Sequence, residues 1–333
     1  MTPEDRFVAR LRELLAEDPR VLLGPGDDAA LVREPGGGAL AVTTDMLVEG
    51  VDFLPDEDPQ TLGRRALAVN LSDLAAMGAE PAFFLLSIGF SPEKGEDFPL
   101  AVARGALSRA EPLAVALVGG DLSRSPQTIV SIALWGRTER PRTALRSGGS
   151  PGDSLFLSGF PGRAAAGLHL ARRGPEGRDP ARVAPEYARE LLAAYRDPEP
   201  RLALGLELSR RNLWSAAIDV SDGLGMDAGR LARASGLRAV IETARLPLSP
   251  ALVAFSESEG KDPLDGILSG GDDYELLFAA PASARPAVEA LASREVPVTR
   301  IGHLEPGRGA VLRGPDGDRE ITGLGHDHFE GRP

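Results

Sequence analysis

Short apolar runs of strand length alternate with amphipathic stretches of helix length along most of this 333-residue chain. Such an alternation restricts the fold to the α/β and α+β classes, because the helices between the strands can cover the faces of a sheet. The spacing predicts helices over 4–17, 60–77, 96–109, 162–173, 186–195 and 223–235, with one more ending near 211. It predicts strands over 39–44, 83–88, 114–118, 128–135, 154–158, 216–220, 238–242, 274–279 and 298–303.

The densest turn cluster near the middle of the chain is Gly148-Gly-Ser-Pro-Gly-Asp153. Glycine and proline at this density are typical of a connection between domains. With 42% apolar residues, the chain is rich enough in apolar side chains for two packed cores. We therefore expect two domains, residues 1–147 and 148–333.

The composition excludes several classes of partner and site. The chain has 37 lysine and arginine residues against 49 aspartate and glutamate residues, for a net charge of -12. Binding to nucleic acid or to an anionic membrane needs concentrated basic residues, which this sequence lacks. Cysteine is absent, which excludes disulfides, thiolate nucleophiles and cysteine-ligated metals. No apolar run approaches the roughly 20 residues of a membrane span. We expect a cytoplasmic protein with no nucleic-acid and no membrane partner.

Carboxylates recur beside glycine or threonine where predicted strands end. The motifs are Gly26-Asp27-Asp28, Thr43-Thr44-Asp45, Gly119-Gly120-Asp121, Asp219-Val-Ser-Asp222 and Gly270-Gly271-Asp272-Asp273. In an open α/β sheet the carboxyl ends of the strands converge on one crevice, so these groups can meet. Several carboxylates in one place repel one another unless cations neutralise them, and oxygen ligands of this kind favour Mg²⁺ or Ca²⁺ over zinc. A single motif is most often a turn or a helix cap, and the metal prediction depends on the five together.

Glycine beside most of these aspartates lets the backbone approach a bulky anion such as a polyphosphate. The chain holds only two lysines, Lys94 and Lys261, and no GxxxxGK[ST] motif, which excludes a P-loop nucleotide site. Phosphate charge must then be met by metals, backbone N–H groups and arginines such as Arg146.

Other catalytic patterns are missing. The four histidines form no HExxH motif. The segment Gly24-Pro-Gly26 lacks the third glycine of a dinucleotide fingerprint, because Ala29 stands there. His326-Asp-His328 offers too few partners for a zinc site and is typical of a surface tail.

Six segments together closely resemble the thiamine-monophosphate kinase family. They are GPGDDAALV (24–32), TTDMLVEGVDF (43–53), AVNLSDLAAMGAEP (68–81), VGGD (118–121), IDVSDGL (218–224) and SGGDDYELLF (269–278). The match extends over nearly the whole chain and ends with HDHF (326–329). The resemblance implies the two-domain fold shared with aminoimidazole-ribonucleotide synthetase and selenophosphate synthetase. In that fold the mixed sheet of the N-terminal domain pairs across a homodimer, and a C-terminal α/β domain completes the active site.

The resemblance also implies ATP-dependent phosphorylation of thiamine phosphate to thiamine diphosphate, the last step in making that cofactor. Transfer would be direct and in line, with several Mg²⁺ ions and no dedicated catalytic base, because a phosphate monoester is already ionised near neutral pH. By motif position the metal ligands are Asp28, Thr43, Thr44, Asp45, Asp73, Asp121, Asp219 and Asp222. The ATP contacts are Gly120, Asp121, Arg146 and Ser221, and the substrate contacts are Asp52, Asp272 and His326.

The substrate contacts depart from the usual family pattern. Asp52 stands where relatives commonly carry histidine, Asp272 where glutamate is common, and His326 where an aromatic residue often precedes DHF. Leu113 stands where a tyrosine is expected beside the nucleotide. Two alternatives stay open: another enzyme of the same superfamily that phosphorylates an amide or acyl oxygen, and a non-catalytic protein whose aspartate clusters bind Mg²⁺ or Ca²⁺.

Overall fold

The computed structural model describes residues 2–35, 37–138, 144–174, 183–294, 296–327 and 329. These residues form two mixed β-sheets with helices packed against them. The strands of the N-terminal sheet are β1 (Val21–Leu23), β2 (Ala30–Arg33), β3 (Ala39–Val48), β4 (Glu80–Phe90), β5 (Ala116–Arg124) and β6 (Ile129–Thr138). The strands of the C-terminal sheet are β7 (Ser154–Ser158), β8 (Ala216–Val220), β9 (Arg238–Glu242), β10 (Glu275–Ala280), β11 (Val298–Glu305), β12 (Gly309–Gly314) and β13 (Gly317–Glu320).

The helices in chain order are α1 (Pro3–Leu14), α2 (Pro59–Met77), α3 (Asp97–Ala110), α4 (Arg163–Arg172), α5 (Pro185–Arg196), α6 (Leu202–Arg210), α7 (Leu224–Ser235), α8 (Pro250–Glu259), α9 (Pro263–Ser269) and α10 (Arg285–Glu289). Helix α2 begins after the side-chain cap of Asp58 and ends at Gly78, which is left-handed at φ 59°. Both ends follow from local sequence.

The N-terminal sheet has the order β1-β2-β3-β6-β4-β5, in which only β4 and β5 run parallel. Helices α2 and α3 pack against one another beside one face of this sheet. They approach so closely that a Cβ at Gly105 would lie 1.9 Å from the carbonyl oxygen of Gln60. Only glycine permits this contact.

The C-terminal sheet has the order β13-β12-β9-β11-β7-β10-β8, in which β9 and β12 are the parallel pair. Its central strands are buried on both faces. Phe156 and Phe278 pack into the core that contains helix α2, whereas Leu155 and Leu277 pack into the second core. Strands buried on two faces have continuous apolar sequences, which explains why the sequence predicted β7, β8 and β10 well. Helix α2 contacts strands of both sheets, including β3, β6 and β8.

The two-domain α/β fold class is confirmed. One premise is wrong, however: the acidic motifs do not share a crevice at the carboxyl ends of parallel strands. Asp45 lies in the middle of β3, Asp73 lies on helix α2, and Asp121 lies within β5. The physical reason is that both sheets are largely antiparallel, so their strands end alternately at opposite edges.

Some elements were not predicted, and one was misplaced. Strands β1, β2, β12 and β13 and helices α8, α9 and α10 were missed. Strand β5 begins at Ala116 and continues through Gly119-Gly120-Asp121, whereas the prediction ended it before these residues. Its exposed polar second half lacks the apolar alternation on which the prediction depended.

Candidate active site

A cavity of about 950 Å³ lies where strand β3, helix α2, strand β8 and the loop before β10 meet. Residues of helices α1, α4 and α7 complete its walls. Most predicted site residues line it: Asp28, Thr43, Thr44, Asp45, Asp52, Asp73, Arg146, Asp219, Ser221, Asp222, Asp272 and His326. The tertiary fold thus collects in one cavity residues that are up to almost 300 positions apart in the sequence.

Three of these carboxylates form a tight cluster, which we call the acidic trio: Asp28, Asp73 and Asp219. Asp28 lies just before β2, Asp73 lies on α2, and Asp219 lies on β8. One carboxylate oxygen from each lies within 4.8 Å of the other two. Arg146 donates to Asp28 through Nη2 at 2.7 Å and through Nε at 3.2 Å. The hydroxyl of Ser72 donates to Asp219 at 2.7 Å.

The trio is electrostatically unfavourable without a cation. Burial, followed by the charges of Asp45 and Asp219, raises the pKa of Asp73 well above its ordinary value. Burial, followed by the charge of Asp28, likewise raises the pKa of Asp219. The Oδ2 atom of Asp28 is buried and has no hydrogen-bond partner among the described residues. Clustered carboxylate oxygens, one of them unpartnered, fit a hard divalent cation such as Mg²⁺.

Strand β3 supplies oxygen atoms beside the trio. The hydroxyl of Thr43 donates to Asp73, and the backbone N–H of Asp45 donates to Oδ1 of Asn70 at 3.1 Å. Thr44 is exposed and also lines the cavity. These contacts connect the middle of β3 to helix α2 rather than leaving the motif at a strand end.

An arginine pairs with the carboxylates of the segment that follows β8. Arg230 on helix α7 donates to Asp222 and, at 3.0 Å, to Asp227. The backbone N–H of His326 donates to the carbonyl oxygen of Asp222 at 2.9 Å. This bond fixes His326, which is exposed, at the cavity wall. His328 lies outside the described residues.

The remaining predicted substrate contacts are anchored by hydrogen bonds. Asp52 accepts from the backbone N–H of Val48 at 2.8 Å. Asp272 accepts from the hydroxyl of Tyr274 at 3.0 Å, and its Oδ2 lies 3.0 Å from Nη2 of Arg65. Both carboxylates therefore have defined orientations at the cavity wall.

Gly120 and Asp121 do not line the cavity. Asp121 pairs with Ser87 on β4, Ser87 with Ser131 on β6, and Ser131 with Met46 on β3. Three interstrand spacings separate Asp121 from Met46, about 14 Å in all. Gly120 also has a packing reason to be glycine, because a Cβ there would lie 1.8 Å from the carbonyl oxygen of Leu86.

The sequence analysis assigned no role to several charged groups at or beside the site. Asp27 accepts from the backbone N–H of Arg146 at 3.1 Å, and burial together with the charge of Asp28 raises the pKa of Asp27 to about 7. Arg230 and Arg65 were not singled out at all. The available signal was an arginine inside an otherwise apolar helical stretch, since a buried charge requires a partner.

Comparison with known proteins agrees with the two-domain fold and with the acidic cavity. A family model of the N-terminal domain of AIR synthase related protein matches residues 26–138, and one of the C-terminal domain matches residues 150–314. The thiamine-monophosphate kinase of Escherichia coli strain K12 is 39% identical over 311 residues, covering 93% of this chain and 92% of that protein. The chain belongs to the thiamine-monophosphate kinase family. The resemblance carried by the six motifs is confirmed, and with it the assignment to an enzyme class, the kinases.

Solved structures agree with this membership of the thiamine-monophosphate kinase family. AaThiL complexed with AMPPCP and TMP matches with a TM-score of 0.82 at 31% identity, over 97% of this chain and 96% of that chain. The thiamine-monophosphate kinase of Stenotrophomonas maltophilia K279a matches with a TM-score of 0.76 at 39% identity, over 93% and 95% of the two chains. Among the described residues of this family member, no helix has the length and apolarity needed to cross a membrane.

Proposed function

We propose that this chain transfers the γ-phosphoryl group of ATP to thiamine phosphate, producing thiamine diphosphate and ADP. The acidic trio in a cavity of about 950 Å³ is the observation that carries the proposal. It is a site for cations between two polyanions, in a cavity at the upper end of the usual size for ligand pockets. The relative AaThiL, complexed with AMPPCP and TMP, supports the same pair of substrates here.

Asp28, Asp73 and Asp219 are the residues that would hold Mg²⁺, together with Thr43, Thr44, Asp45 and Asp222 around them. When bound, Mg²⁺ neutralises phosphate oxygens and brings them together in orientations suited to transfer. The donor set fits this ion because it consists of oxygens only.

The residues of the chain position the reactants. Arg146 holds Asp28 in place with two hydrogen bonds, and we propose that it also contacts ATP. Ser72 orients Asp219, and Thr43 orients Asp73. No residue is assigned as a base, because the attacking oxygen of the substrate phosphate is already ionised near neutral pH. Positioning and charge neutralisation then account for the acceleration.

We further propose that Gly120, Asp121 and Ser221 contact ATP, with Asp121 also a metal ligand, and that Asp52, Asp272 and His326 contact thiamine phosphate. The last three line the cavity near the acidic trio. Their assignment follows the family motifs, and the anchoring of Asp52 and Asp272 supports it.

We propose a homodimer formed through the N-terminal sheet. Strand β5, at the edge of this sheet, exposes the apolar side chains of Val118 (59%) and Leu122 (62%), and Met46 on β3 is 58% exposed. Exposed apolar side chains on an edge strand mark an interaction surface. A second copy covering β5 can also bring its own Asp121 toward the cavity, which Asp121 of the same chain does not line. The acidic, cysteine-free chain supports a cytoplasmic location, and the turn cluster that begins at Gly148 supports domains 1–147 and 148–333.

The direct test is to incubate the purified protein with ATP, Mg²⁺ and thiamine phosphate and to separate the products by chromatography. We expect thiamine diphosphate and ADP in equal amounts, and neither when EDTA is present. A folded, ATP-binding protein that makes no thiamine diphosphate would overturn the proposal and direct the substrate search to the amide- and acyl-phosphorylating relatives. Stabilisation by metal without stabilisation by nucleotide would indicate a non-catalytic metal-binding protein.

A further inference from the structure

Helix α2 carries a fully buried arginine whose ion-pair partner, Asp272, lines the cavity. Arg65 is 1% exposed, and its Nη2 lies 3.0 Å from Oδ2 of Asp272. Its guanidinium carbon lies 4.5 Å from the ring centroid of Tyr195. Burial opposes the charge of Arg65, but Asp272, Tyr274 and Tyr195 together outweigh it, so the pKa of Arg65 lies above its ordinary value. A buried cation is tolerated only with such partners.

The partner, Asp272, is held from several directions. Tyr274 donates to its Oδ1 at 3.0 Å, and the backbone N–H of Asp272 donates to the carbonyl oxygen of Ser221 at 2.7 Å. Asp272 and Tyr274 both have left-handed backbones, at φ 67° and φ 51°. Such conformations are costly for side chains other than glycine and persist where surrounding contacts enforce them, often at functional sites.

These contacts connect Asp272, at the cavity wall, to the acidic trio. Arg65 and Asp73 lie on the same helix, eight residues and about 12 Å apart along its axis. The loop that carries Asp272 is bonded to Ser221, two residues after Asp219. A rigid helix and the end of a strand therefore set the distance between the carboxylate of Asp272 and the trio.

We propose that Arg65 is a positioning residue, which acts through Asp272 to place the thiamine part of thiamine phosphate relative to the phosphoryl-transfer centre. This inference rests on the proposed function. Arg65 and Tyr274 orient the carboxylate of Asp272, which keeps acceptor capacity for a ligand. Thiamine offers a matching chemistry, an amino group that donates hydrogen bonds and a thiazolium cation that a carboxylate attracts.

The test is steady-state kinetics on the full chain, with KM measured separately for thiamine phosphate and for ATP. For Arg65→Met we expect the KM for thiamine phosphate to rise about tenfold or more, because the buried ion pair that orients Asp272 is lost. The KM for ATP should stay within about twofold. Tyr274→Phe removes the hydrogen bond from the tyrosine hydroxyl to Asp272 and should raise the same KM without burying an unpaired charge.

Arg64→Met is the matched control. Arg64 neighbours Arg65 on the same helix, but pairs with Asp197 at 2.8 Å rather than with Asp272. We expect this variant to leave both KM values unchanged. Arg65→Lys keeps the positive charge but lacks the planar guanidinium group, so it should give an intermediate KM for thiamine phosphate.

A double-mutant cycle distinguishes positioning from general stability. If Arg65 acts through Asp272, Arg65→Met adds nothing to the KM effect of Asp272→Ala. If Arg65→Met does not fold, the cycle of Tyr274→Phe with Asp272→Ala and the KM of Arg65→Lys decide the question. Unchanged KM for thiamine phosphate in folded variants, or equal changes in both KM values, would overturn the inference. Failure of the proposed function is distinguishable, because the unaltered chain would then make no thiamine diphosphate.

Discussion

Asp73 on helix α2 and Asp219 on strand β8 come from different halves of the chain, yet their carboxylate oxygens lie within 4.8 Å of each other. Ser72, the residue before Asp73, donates to Asp219 at 2.7 Å. Helix α2 is thus the element that joins the two halves at the site. Any change in its packing shifts two corners of the acidic trio at once.

The first prediction concerns the charge of Asp73. Asp73→Asn removes a buried charge with little change of shape, so turnover should fall by at least about a hundredfold, as expected for the loss of a group that neutralises phosphoryl transfer. In EDTA the variant should melt at or above the temperature of the unaltered protein, because repulsion within the trio is reduced. Calorimetry with and without Mg²⁺, beside the activity assay, checks both. Full activity in Asp73→Asn would contradict the metal-ligand assignment.

The second prediction concerns pH and Asp273. Burial raises the pKa of Asp273 from 3.8 to about 8, against the opposing effect of hydrogen bonds from the backbone N–H groups of Gly162 and Ala164. The folded protein therefore keeps a proton that the unfolded chain releases near pH 3.8, and this contribution to the free energy of unfolding is lost as pH rises toward 8.

Asp273→Asn lacks this titration. The difference in free energy of unfolding between the unaltered protein and Asp273→Asn should therefore shrink from pH 5 to pH 8, measured by urea unfolding at each pH. Parallel pH curves for the two proteins would show that Asp273 is ionised in the folded state throughout this range.

The third prediction concerns the proposed dimer surface. Leu122→Asp replaces an exposed apolar side chain of β5 with a charge, so it should convert a dimer into monomers and reduce activity without lowering the stability of each chain. Analytical ultracentrifugation measures the change in mass. Leu14→Asp on helix α1, where Leu14 is 82% exposed, is the matched control and should leave the dimer intact. A monomeric unaltered protein with full activity would rule out this surface as a dimer interface.

The fourth prediction concerns the crossing of α2 and α3. At Gly105→Ala the new Cβ would lie 1.9 Å from the carbonyl oxygen of Gln60, so the helices must move apart. We expect the free energy of unfolding to fall by about 1–3 kcal/mol, the usual cost of overpacking. Gly24→Ala, with nothing within 4 Å of its added Cβ, should change stability much less. Equal effects from the two variants would show that the crossing adjusts freely.

The elements that the sequence predicted best are those with strong local signals. Helix α2 has a capping aspartate, a proline at its start and a glycine at its end, and strands β7, β8 and β10 are continuous apolar runs. The short strands β1 and β13 were missed because their residues are largely exposed and lack an apolar face. Strand length and burial, rather than the intrinsic β-preference of the residues, separate the strands that were predicted from those that were missed.

The sequence by itself determined the chemistry of the site, since residue types and motif spacing already indicated a cluster of oxygen ligands, the absence of a P-loop and the kinase family. Only the tertiary structure decided which carboxylates meet. Asp28, Asp73 and Asp219 converge, whereas Asp121 lies at a far sheet edge and Asp222 is paired with Arg230. The pairing of Arg65 with Asp272 was equally invisible in the sequence. Local signals act over a few residues, whereas the contacts of Asp73 with Asp219 and of Arg65 with Asp272 join side chains that are more than a hundred positions apart and depend on how two sheets pack around one helix.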